Sequence, residues 1–94
     1  MGKKVTVELI GTARIRVGRK EVCITVRDEA TWRDVVAALA AALPVLVGMA
    51  ITEDRRALVP PHLLSLGGRH TIKNFDEEVE IKEGDLLSLF EETC

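Results

Sequence analysis

The chain has 94 residues, a formal net charge of −2 and an ordinary apolar fraction of 47%. That length makes one domain with a modest core, residues 1–94. The weak net charge excludes the broad electrostatics of a nucleic-acid or anionic-membrane binder, and no apolar run approaches the roughly 20 residues of a membrane span.

Charge is unevenly spread: residues 1–33 carry eight Lys/Arg against four Asp/Glu, and residues 34–94 carry five against eleven. Two cysteines, Cys23 and Cys94, are too few for a disulfide framework. Met1-Gly2-Lys3-Lys4 leads straight into a strand pattern without an apolar export signal. A cytoplasmic setting with reduced thiols is therefore expected. The absence of Gln and the single Asn give the chain a thermophile-like composition.

Lys4–Leu9 alternates with period two and puts Val5, Val7 and Leu9 on one face. Glu21–Val26 does the same with Val22, Ile24 and Val26, which turns Cys23 to the opposite face. Gly11 and Gly18 bracket Thr12–Val17, and the spacing predicts a hairpin with a long basic connection. Thr31 is a good helix N-cap, with Asp34 three residues on as a short capping-box partner. Trp32, Val35, Val36, Leu39 and Leu43 follow as one apolar stripe, and Pro44 stops the helix near Leu43.

Residues 45–61 show no clear period, and Pro60-Pro61 predicts an extended stretch. His62–Leu66 and Arg69–Ile72 flank Gly67-Gly68, which predicts a tight hairpin. Glu78–Lys82 alternates again, either as a strand or as a loop packed by Val79 and Ile81. Glu83-Gly84-Asp85 is a turn, and Leu87 and Leu89 face inward on a last strand ending at Phe90.

Little here points to reaction chemistry. There is no Gly-rich phosphate loop, no Ser-His-Asp set and no paired carboxylate in an apolar cleft, so no enzyme, no cofactor and no catalytic residue is expected. His62 and His70 could be cross-strand neighbours, but a metal needs about three or four protein ligands. They are expected as ordinary surface histidines with no metal site. The acidic set Asp76, Glu77, Glu78, Glu80 and Glu83 and the basic set Arg14, Arg16, Arg19 and Lys20 are charges that could bias recognition.

The order strand, strand, helix, then three strands is that of the ubiquitin-like β-grasp, an α+β fold. It implies a mixed sheet of four to five strands with one main helix, at about residues 32–43, packed on one face. Within it the chain resembles the MoaD/ThiS sulfur-carrier family: the small subunit of molybdopterin synthase and the thiamine-pathway carrier. The resemblance lies in Val5–Gly11 followed by a basic loop, in Ala30-Thr31-Trp32-Arg33-Asp34-Val35, in the exit Leu43-Pro44, and in Lys82-Glu83-Gly84-Asp85-Leu86-Leu87-Ser88-Leu89-Phe90.

In that family a terminal diglycine, free of side chains, threads a narrow tunnel, is adenylated by an E1-like activating enzyme with ATP, and becomes a thiocarboxylate. Here Glu91 and Glu92 fall where that family often has a Pro-Pro pair, Thr93 and Cys94 follow as the candidate carrier tail, and the diglycine would be expected about two residues beyond Cys94. Glu91 and Glu92 add side chains and charge that such a tunnel would have to accommodate.

The resemblance implies a non-enzymatic protein that binds a larger partner, either an E1-like activating enzyme or a molybdopterin-synthase-type large subunit, with no nucleic acid and no membrane. Phe90, Leu86 and Ile10 share the sheet face away from the helix, and with Arg14 and Arg16 they are the expected partner contacts. The alternatives are a true sulfur carrier in molybdopterin or thiamine biosynthesis with a differently matured tail, and a structural β-grasp subunit of a multicomponent enzyme with no sulfur role.

Overall fold

Residues 2–67, 70–79, 82 and 84–91 are described by the structure, a computed structural model. β1 (Gly2–Leu9) and β2 (Glu21–Arg27) pair antiparallel, with Val5 opposite Ile24 and Val7 opposite Val22. These β-branched side chains are buried on one face, as the alternation predicts, while Cys23 is exposed on the other.

The connection between them is not a loop. Thr12–Val17 folds as a short helix, α1, entered at Gly11 (φ 71°) and left at Gly18 (φ 79°), a region of backbone space that favours glycine. Its anchor is Ala13, its one buried residue. Six residues give less than two turns, too few for an apolar stripe to announce a helix in sequence.

α2 (Trp32–Ala42) begins as its capping signal predicts: the Asp34 carboxylate accepts the Thr31 backbone N–H at 3.0 Å. Segment 75–77 completes the cap, because Trp32 N–H donates to the Glu77 carbonyl (3.2 Å) and Arg33 N–H to that of Phe75 (3.1 Å). The Arg33 guanidinium binds the Asp76 carboxylate at 2.6 Å and the Arg56 carbonyl at 2.9 Å, tying two loops to the helix start. Trp32, Val35, Val36, Leu39 and Leu43 are all buried against the sheet.

Pro44 ends α2 and opens a 3-10 turn, Pro44–Leu46. The unperiodic run after it folds back into the core, with Leu46, Ala50 and Ile51 fully buried. The Pro60–Pro61 peptide is cis, where an extended stretch was expected.

β3 (His62–Leu66) and β4 (His70–Thr71) form the predicted hairpin, with Leu66 opposite His70 and Gly67 at φ 62°. Gly68 and Arg69 lie outside the described residues. The histidines are not cross-strand neighbours: His62 stands opposite Glu91, and at 7% exposure it is buried rather than a surface residue. Its Nδ1 lies 3.0 Å from the Val59 carbonyl. Val79 packs into the core, while Glu80, Ile81 and Glu83 fall outside the described residues.

β5 (Leu86–Glu91) starts from a turn that explains the Gly-Asp pair. Gly84 sits at φ 87°, the Asp85 carboxylate accepts the Lys82 N–H (2.8 Å), and its carbonyl accepts the Thr6 N–H (3.2 Å). The sheet order is β2-β1-β5-β3-β4. β1 and β5 are parallel, and every other pairing is antiparallel. A five-stranded mixed sheet with one main helix across a single face is the ubiquitin-like β-grasp.

Candidate functional site

The site grows from the register at the sheet centre. Leu9 is opposite Leu89, so Ile10 comes level with Phe90, and the Ile10 N–H donates to the Leu89 carbonyl at 3.0 Å. On the other side of β5, Leu63 is opposite Phe90. Since Leu9, Leu64 and Leu89 are buried in the core, their neighbours Ile10, Leu63 and Phe90 fall on the open face. Ile10 is 42% exposed, and the other two are half-buried.

Leu86 does not join them. It shares the open face and is 40% exposed, but it lies opposite Thr6, four residues back along β5. That is about 13 Å at 3.3 Å per residue. The buried pair Ser65 and Ser88 separates it from Phe90. The apolar patch is therefore Ile10, Phe90 and Leu63. Leu63 escaped sequence reading because nothing local fixes the register of β3 on β5.

Glu91 closes the site. Its Oε1 accepts the Thr12 N–H at 2.7 Å, capping the first turn of α1, whose N-cap Gly11 has no side chain to offer. A Cβ on Gly11 would sit 3.0 Å from that oxygen. The hydrogen bond from Thr12 holds the Glu91 carboxyl below its ordinary value, with a smaller electrostatic contribution from His62. Expected only as a charged burden on a tail, Glu91 is an anchor: it fixes the end of β5 at the foot of α1. Arg14 and Arg16 are exposed in the last turn of that helix. Glu92, Thr93 and Cys94 lie outside the described residues.

Other chemistry is sparse. Among the described residues no three His, Cys, Asp or Glu side chains converge as a metal site would require. No described helix is long and apolar enough to cross a membrane.

Four carboxylates give the fold an acid dependence. Glu91 is held down by Thr12, Asp34 by the Thr31 backbone and then Arg27, Asp54 by Thr52 and the Arg56 backbone, and Asp76 by Arg33. Each folded-state pKa lies below the unfolded one. Their stabilisation is therefore complete above the ordinary values, 3.8 for Asp and 4.5 for Glu, and is lost as pH falls through the depressed ones. Tm should hold level above pH 5 and fall progressively below about pH 4.5, and Glu91→Gln should make that acid limb shallower. Thermal melts across pH 3–7 check both.

No protein-family model matches this chain, and no curated protein does. Solved structures do match. Small archaeal modifier protein 1 of Haloferax volcanii superposes with a TM-score of 0.79 at 24% identity, over 98% of this chain and 100% of that one. A Pyrococcus furiosus protein assigned as molybdopterin converting factor, subunit 1, gives 0.71 at 22% identity, over 97% and 99%. Small archaeal modifier protein 1 of Methanosarcina acetivorans gives 0.71 at 18%, over 97% and 94%. The chain thus has the MoaD/ThiS-like ubiquitin fold.

Proposed function

We propose that this chain is a non-enzymatic ubiquitin-like protein of the sulfur-carrier lineage that works by binding a larger protein in the cytoplasm. Its partner is an E1-like activating enzyme or a molybdopterin-synthase-type large subunit, and its setting is sulfur transfer or molybdopterin-cofactor assembly. One observation carries the reading: the end of β5 is pinned through Glu91 to α1, beside the open apolar patch of Ile10, Phe90 and Leu63. A partner that grips this patch holds the end of the strand in a fixed place. Arg14 and Arg16, exposed on α1 shortly after Ile10 in the chain, supply charge for recognition. Thr93 and Cys94 are the residues that would stand nearest a partner's catalytic centre.

The test is titration into a purified E1-like enzyme and, separately, into a molybdopterin-synthase-type large subunit, with and without ATP. Complex formation is read by calorimetry, and adenylation by pyrophosphate release and intact mass. Binding without adenylation is the expected result. An oxygen-to-sulfur mass shift at the terminal carboxylate would make the protein a working sulfur carrier instead. No complex with either enzyme would overturn the lineage-based reading and favour a structural subunit of another assembly.

A further inference from the structure

α1 displays the most exposed large apolar side chain of the described residues: Ile15 is 82% exposed. Val45, 48% exposed, stands on the 3-10 turn that packs beside this helix. In the sequence around Ile15 the charges are of one sign. Arg14 and Arg16 adjoin it in sequence, Arg19 and Lys20 follow Gly18, and all four are exposed. No ion pair joins any of them to another described residue. Residues 10–20 contain no Asp or Glu. The acids that approach are Glu8 and Glu21, paired across β1 and β2, and Glu91, whose carboxylate is held by the Thr12 N–H.

An isolated surface isoleucine needs no explanation. This one sits in the middle of a short helix anchored at its N-terminal end, where Glu91 caps Thr12 and Ala13 is buried, and its sequence neighbours Arg14, Arg16, Arg19 and Lys20 are paired with no described residue. We propose that α1 is a docking knob: Ile15 enters an apolar pocket on the partner protein, and the rim of that pocket carries Asp and Glu that meet Arg14, Arg16, Arg19 and Lys20. The identity of the partner class rests on the function proposed above. Charge complementarity selects a protein over the other polyanions. Nucleic acid offers phosphates but no pocket for an aliphatic side chain, and the chain as a whole carries a net charge of −2, which opposes a polyanion. A bilayer surface calls for a long amphipathic face, and two aliphatic side chains do not make one.

The test places a photocrosslinking amino acid at position 15 of the full chain, expressed in its source cells, with the same group at exposed Ala41 as control. Crosslinked peptides are then sequenced. The expected result is a discrete protein crosslink at position 15 and none at 41, mapping to a pocket with Asp or Glu within a few residues. The double variant Arg14→Glu, Arg16→Glu should cut that crosslink at least tenfold, and Asp/Glu→Lys changes in the captured pocket should restore it. Ile15 and the arginines are exposed, so Tm should stay within a few degrees, which separates lost docking from lost folding.

A crosslink to lipid or nucleic acid, a signal equal to that at position 41, or one indifferent to charge reversal would overturn the knob. The two proposals fail separately. A matching acidic pocket on a protein unrelated to sulfur transfer keeps the knob and discards the proposed function. An E1-like enzyme that binds wild type and Ile15→Glu equally keeps the function and discards the knob.

Discussion

Leu89→Ala should lower the free energy of unfolding by about 2–5 kcal/mol, the largest single effect expected in the core. Leu89 is fully buried on β5, flanked by Leu9 of β1 and Leu64 of β3, themselves almost wholly inaccessible. Removing its isobutyl group leaves a cavity at the junction of the two halves of the sheet, where neither neighbouring strand can collapse inward without losing its own pairing. A domain of this size has only about 5–15 kcal/mol in total, so Tm should fall by roughly 10–30 °C. Urea unfolding followed by the fluorescence of Trp32 measures it, since Trp32 is the chain's single tryptophan and lies buried at the start of α2. Leu86→Ala, on the same strand but exposed, should stay within about 0.5 kcal/mol. Equal effects at the two positions would mean that β5 does not lie in the sheet centre.

Phe90→Asp should weaken the partner complex about a hundredfold, the largest effect expected on binding. A buried aromatic anchor is worth about 2 kcal/mol or more, and a carboxylate stranded in its place adds a desolvation cost. Phe90 is half-buried against Leu63, so the substitution also perturbs the fold, and Phe90→Ala separates the two effects. It should lose most of the affinity while keeping a cooperative melt. Leu86→Asp, about 13 Å away at the standard strand rise, should change the affinity by less than threefold. If Leu86→Asp proved as damaging as Phe90→Asp, the partner would cover the whole open face rather than the end of β5.

How much of this was legible in sequence follows the range of the forces involved. The first two strands, the Thr31–Asp34 cap, the apolar stripe of α2 and its end at Pro44 are set by residues within a few positions of one another, and all stand where the pattern placed them. Thr12–Val17 was legible only as a connection. A helix of six residues depends on Ala13 being buried and on a carboxylate 79 residues away, neither of which leaves a local trace. The run 46–51 has no period because its buried residues, Leu46, Ala50 and Ile51, are placed by irregular turns rather than by one helix or strand. His62 was read as a surface residue since nothing near it in sequence shows that its ring is buried against the Val59 carbonyl and that the residue pairs across to β5. The candidate patch divides the same way. Ile10 and Phe90 follow from strand phase, whereas the inclusion of Leu63 and the remoteness of Leu86 need the β3–β5 and β1–β5 registers.

The order of strands has a consequence for how the protein is made. β5 is the last of the five described strands to emerge from the ribosome, yet it lies in the middle of the sheet, between β1 and β3. Until residue 91 has cleared the exit tunnel, β1 and β2 can pair and α2 can cover them, but the inner edge of β1 has no neighbour and β3 has only the two-residue β4 beside it. The nascent chain must hold Val5, Val7 and Leu9 in a half-built core until β5 arrives, a state that invites association with other strands. Closure of the sheet then waits for β5 to emerge and pair with β1, a contact of long sequence separation, rather than following directly from the early β1–β2 pairing.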